Sequence, residues 1–218
     1  DMGYRFGAKS LPSLSLIELI RSRSGADRLM TFNLPMLSEL SRTMPEADQL
    51  LGKPLPIQAA KSYFDTLPDD SGASADKVQW LIDTPERLVQ YKDLAEALDQ
   101  TLRINIELDV GLHRGGFEPG AELQATLRSI RQSPLLELSG FMGYEPHIPA
   151  LPTALGWRDR ALAGAWAKYR DALDQAASVF DEATMSRLTR NAAGSPTYRY
   201  YEPTELANEL SAGSCLVT

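Results

Sequence analysis

The sequence is poor in cysteine and has no long apolar run. Cys215 is the only cysteine among 218 residues, so the chain has no internal disulfide and no zinc site built from cysteines. No apolar run approaches the roughly 20 residues of a membrane-spanning helix, and we therefore expect no membrane partner. A cytoplasmic location is the default expectation for a chain with these features.

Basic residues are also in the minority. Lysine and arginine total 22 against 29 aspartate and glutamate, which gives a net charge of −7. A phosphate backbone requires basic surface, so we expect no nucleic-acid partner. With 43% apolar and 23% charged residues, the composition is that of a soluble globular chain, long enough for one domain with a sizeable core.

The most informative stretch is residues 104–116, INIELDVGLHRGG. Apolar and polar residues alternate up to Val110, which predicts a strand, and the glycines that follow predict a tight turn. Arg114 then lies where a strand passes through a loop into a helix. Acidic side chains such as Glu107 in mid-strand fit a polar barrel interior. The alternative is an exposed strand with a surface arginine, and these residues alone do not separate the two.

Strand patterns recur along the whole chain and alternate with helical patterns. This order predicts an α/β protein with a (β/α)8 barrel of the TIM type, rather than an open doubly wound sheet. The predicted strands are residues 2–8, 28–32, 48–51, 78–82, 104–110, 135–142, 187–192 and 213–217.

Chemistry-bearing residues cluster at the ends of these predicted strands. Barrels often bind phosphate with the loops after strands seven and eight, where this chain has Gly194-Ser195 and Gly213-Ser214. Lys9 across the same rim then suggests a Schiff base to pyridoxal phosphate. Taken singly, Lys9 could be a surface lysine and residues 194–197 an ordinary turn. A sugar-phosphate barrel, in which Lys9 and Arg114 simply bind anions, is a further alternative.

Several segments resemble one enzyme group, the fold-type III pyridoxal phosphate enzymes. Within it, the chain is most similar to the D-threonine aldolase and D-serine dehydratase-like branch, related to the alanine racemase N-terminal barrel. The resemblance extends over residues 4–217. The segments that carry it are RFGAKS at 5–10, GKP at 52–54, DVGLHRGG at 109–116, GYEPH at 143–147 and the glycine-serine pair at 213–214.

The resemblance implies a role for each matching residue. Lys9 would carry the Schiff base and act as a catalytic base. Arg114 would fix the cofactor ring, and Tyr144 would hold the cofactor or the substrate, with His147 as a neighbour. The phosphate would be bound by Gly194, Ser195, Thr197, Gly213 and Ser214.

The resemblance also implies an activity. We expect a lyase for small D-amino acids, of the D-threonine aldolase or D-serine dehydratase type, that works as a homodimer. An amino-acid racemase is the alternative among enzymes. A non-catalytic pyridoxal phosphate-binding protein on the same barrel is the alternative outside them.

Members of this branch carry a second, mostly β domain after the barrel, and it supplies a divalent metal site for Zn or Mn. We expect residues 1–218 to form the barrel domain alone, as a fragment or the ordered part of a longer two-domain protein. The family's C-terminal β domain would then be lacking, and the metal ligands would not be in this chain. His113 and His147 are its only histidines, and two histidines far apart in sequence predict no zinc site.

Overall fold

Eight parallel strands close into a barrel in this computed structural model, which describes residues 2–67, 75–201 and 206–216. Each strand pairs with its neighbour in sequence, and the last pairs with the first. The predicted α/β class and (β/α)8 barrel are therefore confirmed. The strands are β1 Gly3–Gly7, β2 Arg28–Thr31, β3 Asp48–Leu51, β4 Val78–Ile82, β5 Leu102–Leu108, β6 Leu136–Gly143, β7 Thr189–Ala192 and β8 Glu209–Ala212.

Helices connect the strands, and four of the seven described helices carry a side-chain cap in the first turn. The side chains of Asn33 and Thr84 accept backbone N–H groups at 3.0 and 3.1 Å. Ser13 caps the first helix, and a short 3-10 turn, Ala8–Ser10, follows β1. The described helices are α1 Leu14–Ser24, α2 Leu34–Thr43, α3 Ile57–Thr66, α4 Pro85–Leu98, α5 Ala121–Gln132, α6 Trp157–Ala177 and α7 Glu182–Arg187.

The eighth strand lies earlier in the chain than predicted. It ends at Ala212, and Ser214–Leu216 forms a 3-10 turn; residue 217 lies outside the described residues. The prediction was wrong because Glu209 and Ser211 are buried polar residues inside the barrel. Their polarity hides the apolar pattern by which a buried parallel strand is usually recognised.

The floor of the barrel, where the strands begin, is filled by an ionic network. The guanidinium of Arg5 is fully buried and lies 2.6 Å from a carboxylate oxygen of Glu209 and 2.6 Å from one of Asp48. The side-chain amides of Asn191 and Gln79 donate to the same two carboxylates at 2.7 and 2.8 Å. These contacts join β1, β3, β4, β7 and β8, so the barrel is closed at its floor by polar side chains.

The apolar core lies outside this network, between the sheet and the helices. Trp80 on β4 is fully buried there and packs against Tyr63 and Tyr91 from the flanking helices, with ring centroids 5.5 Å apart in both pairs. The interior is therefore left for polar side chains at the floor and for a cavity at the mouth.

Among the described residues, no helix is long and apolar enough to span a bilayer.

Candidate active site

A cavity of about 290 Å³ opens where the strands end. Active sites of (β/α)8 barrels lie at this face, because the loops after the strands converge there. The loops or ends of seven strands contribute to its wall, all except β4. The predicted site residues that line the cavity are Lys9, Arg114, Tyr144, Ser195, Gly213 and Ser214.

Lys9 reaches the cavity from the 3-10 turn after β1. Its ammonium nitrogen lies 4.1 Å from the centroid of the Phe32 ring, which covers one side of it. Burial lowers the pKa of Lys9, and the positive charges of Arg114 and Lys53 lower it further. A lower pKa increases the neutral fraction of the amine, which is the nucleophilic form. Lys9 therefore has the electrostatic setting of a reactive lysine.

Arg114 is held across the mouth by contacts to several strands. Its Nε donates to Oε1 of Glu107 at 2.6 Å, and its Nη2 donates to the carbonyl of Gly52 at 3.3 Å. The guanidinium carbon lies 4.8 Å from the centroid of the Tyr144 ring. Burial raises the pKa of Glu107, and the Arg114 charge opposes that rise. Glu107 therefore points into the polar interior, and the alternative of an exposed fifth strand is excluded.

The turn that delivers Arg114 begins earlier than predicted. β5 ends at Leu108, and Oδ1 of Asp109 accepts the backbone N–H groups of Gly111 and His113 at 2.9 and 3.0 Å. These bonds turn the chain out of the strand, and His113 adopts a left-handed φ of 55°. The predicted strand end at residue 110 is thus corrected, because the aspartate bonds to its own turn.

Tyr144 forms the wall between Arg114 and the turn after β7. A Cβ at position 194 would lie 2.6 Å from Cε2 of Tyr144, so glycine is required where this turn packs against the ring. Burial raises the pKa of Tyr144, which keeps the phenol protonated at neutral pH. The ring therefore provides a fixed wall with a neutral hydroxyl group.

Donors for an anion converge where β7 and β8 end. Oγ of Ser195 accepts the backbone N–H groups of Gly213 and Cys215 at 3.1 and 3.2 Å, and its own proton remains available for donation. A Cβ at Gly213 would lie 2.8 Å from Oγ of Ser10 and 2.9 Å from the carbonyl oxygen of Gly7. We call Ser195 and the N–H groups of Gly213 and Cys215 the anion cradle. The two N–H groups hold the oxygen of Ser195, and its free hydroxyl proton can donate to a phosphate group.

Thr197 and Gly194 lie behind the anion cradle. Thr197 is fully buried, and its hydroxyl donates to Glu145 at 2.5 Å while accepting the N–H of Gly194 at 3.1 Å. Neither residue lines the cavity, although the sequence predicted both as phosphate ligands. The structure places their polar groups inside the turn, where they fix its shape.

Two polar residues in the cavity wall were not predicted. Asn191 on β7 donates to Oγ of Ser211 on β8 at 2.7 Å, and both line the cavity. Asn191 also donates to Glu209, which connects the cavity to the ionic floor. A signal was available in the sequence, since Asn191 is a polar residue near the end of a predicted strand.

One group of potential metal ligands lies after β5. Asp109, His113 and Glu118 offer ligand atoms that all lie within 4.8 Å of one another, and His147 does not belong to this group. However, Nδ1 of His113 already lies 2.7 Å from Asp109, and Lys168 pairs with Glu118 at 2.5 Å. Internal contacts therefore account for the group, and we assign no metal to it.

Together, these features define a class of site. A lysine with a lowered pKa and an anion cradle line one cavity, whose walls include the apolar side chains of Met30, Phe32 and Met142. Such a cavity fits a planar carbonyl compound that carries a phosphate group, with an apolar slot for its ring.

Comparison with known proteins then gives the family. The family model of the alanine racemase N-terminal domain matches residues 14–218, and the chain belongs to this family. It is a family of fold-type III pyridoxal phosphate enzymes, which include racemases and D-amino-acid lyases.

Individual relatives are distant. An alanine racemase from Acidithiobacillus ferrooxidans is 29% identical over 123 residues, which are 53% of this chain and 33% of that protein. The structure of D-threonine aldolase from Filomicrobium marinum matches with a TM-score of 0.77 at 16% identity, over 98% of this chain and 55% of that one. D-threo-3-hydroxyaspartate dehydratase from Delftia sp. HT23 matches with a TM-score of 0.75 at 17% identity, over 99% and 54%. The chain thus spans about half the length of these solved proteins, and at such identities they show the fold alone.

Proposed function

We propose that this chain is the cofactor-binding barrel of a pyridoxal phosphate-dependent lyase for small D-amino acids, of the D-threonine aldolase or D-serine dehydratase type. The observation that carries the proposal is that Lys9 and the anion cradle line one cavity. When bound, pyridoxal phosphate supplies an electron-withdrawing ring that stabilises negative charge on the α-carbon of an amino acid. A homodimer and a cytoplasmic location belong to the same proposal.

The residues of the cavity divide the work of binding and proton transfer. Lys9 would hold the cofactor through Nζ, and the same nitrogen, when neutral, can accept a proton from a substrate. The anion cradle would bind the phosphate through the hydroxyl proton of Ser195, whose oxygen the N–H groups of Gly213 and Cys215 hold in place. Arg114, fixed by Glu107, and the Tyr144 ring would orient whatever lies between them and restrict entry of water.

The lyase assignment draws support from the segments at residues 109–116 and 143–147, which resemble the lyase branch. In that case a divalent metal, Zn or Mn, is also required, and its ligands would come from outside these residues. Racemase activity is the second candidate, because the curated relative that matches is an alanine racemase.

Cofactor attachment can be tested without any turnover assay. The chain is mixed with pyridoxal phosphate, reduced with borohydride, and digested for mass spectrometry. We expect the cofactor on Lys9, and its complete loss from that peptide in Lys9→Ala. Lys61→Ala, which removes an exposed lysine of α3, is the matched control and should leave the Lys9 adduct unchanged. Labelling spread evenly over surface lysines would contradict the proposal.

A turnover assay then separates the candidate activities. An aldolase releases glycine and an aldehyde from D-threonine, a dehydratase releases pyruvate and ammonia from D-serine, and a racemase interconverts D- and L-alanine. Lyase activity should be lost with a chelator and restored by Zn or Mn, whereas racemisation should be indifferent to both. Specific attachment at Lys9 with none of these reactions would support a non-catalytic pyridoxal phosphate-binding protein.

A further inference from the structure

Glu145 is a fully buried carboxyl group just behind the cavity wall, and it has no part in the ligand binding or proton transfer proposed for the cavity residues. It follows Tyr144 at the end of β6 and does not line the cavity. Among the described residues, no cationic side chain forms an ion pair with it. A buried carboxyl group without a cation is expensive to keep, so its hydrogen bonds must account for its presence.

Its hydrogen bonds to other residues lead to the segment after β7. The hydroxyl of Thr197 donates to Oε1 at 2.5 Å, the hydroxyl of Tyr201 donates to Oε2 at 3.0 Å, and the backbone N–H of Ala193 also donates to the carboxyl group. Both carboxyl oxygens are therefore used, and a single side chain just after β6 holds three points of one loop.

The held loop is under strain and contains the anion cradle. Ala193 has a φ of 64°, in the left-handed region that L-residues avoid, so its conformation needs outside support. The Thr197 hydroxyl, which donates to Glu145, also accepts the N–H of Gly194 at 3.1 Å and so connects Glu145 to this residue. Ser195, the next residue, supplies the hydroxyl on which the N–H groups of the cradle converge.

We propose that Glu145 is a positioning residue, which fixes the turn at residues 193–197 and thereby sets the anion cradle. This inference rests on the proposed function, because it concerns how the same site binds a phosphate group. Glu145 would not touch the ligand. Its removal should weaken recognition of the phosphate while leaving the binding of the ring and of the carbonyl group intact.

The experiment compares two ligands that differ only in the phosphate. Affinities for pyridoxal phosphate and for pyridoxal are measured by spectroscopic titration of the full chain, and inorganic phosphate is used as a competitor. Glu145→Leu should lower the affinity for pyridoxal phosphate by about tenfold or more, as expected when a buried hydrogen-bond network is lost. Its affinity for pyridoxal should stay within about twofold, and phosphate should compete less well.

Conservative and control variants sharpen the test. Glu145→Gln should keep most of the phosphate preference, because the partner hydroxyl groups can reverse their donor and acceptor roles. Glu137→Leu, at the exposed start of β6, should leave both affinities unchanged. If Glu145→Leu does not fold, Thr197→Val removes the central link with little change of shape and should reduce the phosphate preference in its place.

The outcomes separate this inference from the proposed function. If the unaltered chain binds pyridoxal phosphate no better than pyridoxal, the anion cradle itself is refuted and both proposals fail. If that chain does prefer the phosphate, but Glu145→Leu and Thr197→Val keep the same preference, only the positioning role fails. An equal loss of both ligands would also overturn it, because that result indicates a general structural role.

Discussion

The floor and the mouth of the barrel both concentrate charge, but only the floor compensates it fully. At the floor, the buried guanidinium of Arg5 is matched by Glu209 and Asp48 at 2.6 Å each. At the mouth, Lys9 has Arg114 and Lys53 as its charged neighbours. No ion pair joins Lys9 to a carboxylate in the described part of the chain.

This difference separates residues that hold the fold from residues that perform chemistry. Paired charges at the floor fix the strands that they join. The lysine at the mouth has no such partner among the described residues, and its lowered pKa increases the fraction of neutral, nucleophilic amine. Substitutions at the floor should therefore change mainly the free energy of unfolding. Substitutions at the mouth should change mainly the affinity for the ligand.

The largest effect is expected at the floor, for Arg5→Met. The change leaves the carboxylates of Glu209 and Asp48 without their buried cation, which typically destabilises a protein by about 3–5 kcal/mol. Urea unfolding at neutral pH measures it. Arg28→Met is the control, since Arg28 also contacts Glu209 at 3.0 Å but is 44% exposed and should contribute less than about 1 kcal/mol. Equal losses in the two variants would remove the distinction between a buried and an exposed ion pair.

Gly213→Ala should destabilise the protein less than Arg5→Met does, but it should weaken binding of pyridoxal phosphate more. The added methyl group would meet Oγ of Ser10 at 2.8 Å and the carbonyl of Gly7 at 2.9 Å, so the backbone must shift at a cost of about 1–3 kcal/mol. Because Gly213 belongs to the anion cradle, affinity for pyridoxal phosphate should fall more than affinity for pyridoxal. Titration with the two ligands measures this.

Gly164→Ala is the matched control. Gly164 lies in α6, and no neighbouring side chain lies within 4 Å of the position that an added methyl group would take. Alanine there should stabilise the helix by about 0.5–1 kcal/mol. Ligand affinity should not change. A Gly213→Ala variant that behaves like Gly164→Ala would show that the cradle tolerates a side chain.

The pH dependence of stability should have opposite signs at the two ends. Burial opposes ionisation of Glu209, but Arg5 more than compensates, so its pKa is lowered. Its contribution is therefore present above the unfolded pKa of about 4.3 and is lost as the pH falls through the folded value. Burial instead raises the pKa of Glu107, so its contribution is present below about 4.3 and is lost as the pH rises through the folded value.

Urea unfolding across pH 3–8 therefore tests the comparison. Stability should rise on mild acidification from neutral pH and then fall below about pH 4. Glu107→Gln should reduce the rise without affecting the fall. Glu145, whose pKa is also raised by burial, should supply what remains of the rise. If Glu107→Gln changed only the fall in stability below about pH 4, the inference that the pKa of Glu107 is raised would be contradicted.

The smallest effect concerns Lys9 itself. Burial is the first cause of its lowered pKa, and Arg114 precedes Lys53 among the charges that lower it further. Arg114→Met should therefore raise the pKa of Lys9, and Lys53→Met should raise it by a smaller amount. Competitive acylation of the Lys9 peptide as a function of pH measures both shifts. A fall in either variant would show that the two cations do not act on Lys9 as inferred.

Much of the fold could be predicted because the pattern of apolar and polar residues in most segments matches the burial of their side chains in the structure. β3 and β4 have the predicted bounds, and the loops that carry Lys9, Arg114 and Tyr144 were placed at the correct end of the barrel. β8 was misplaced because polar residues of the floor lie in it. The sequence assigned Thr197 to the phosphate and gave Glu145 no role, because their mutual contact joins loops 52 residues apart.

The sequence by itself determined the alternation of strands and helices and the positions of its lysine, arginine and glycines at strand ends, because these follow from the spacing of residues close together in the chain. Only the tertiary structure decided which charges are paired. Closing β8 onto β1 brings Glu209 to Arg5, 204 residues away. Pairing of β7 with β8 brings the N–H of Gly213 to the hydroxyl of Ser195, and the tertiary structure places Lys9 beside other cations. Whether a charge stabilises the fold or stays reactive depends on neighbours that are distant in the chain.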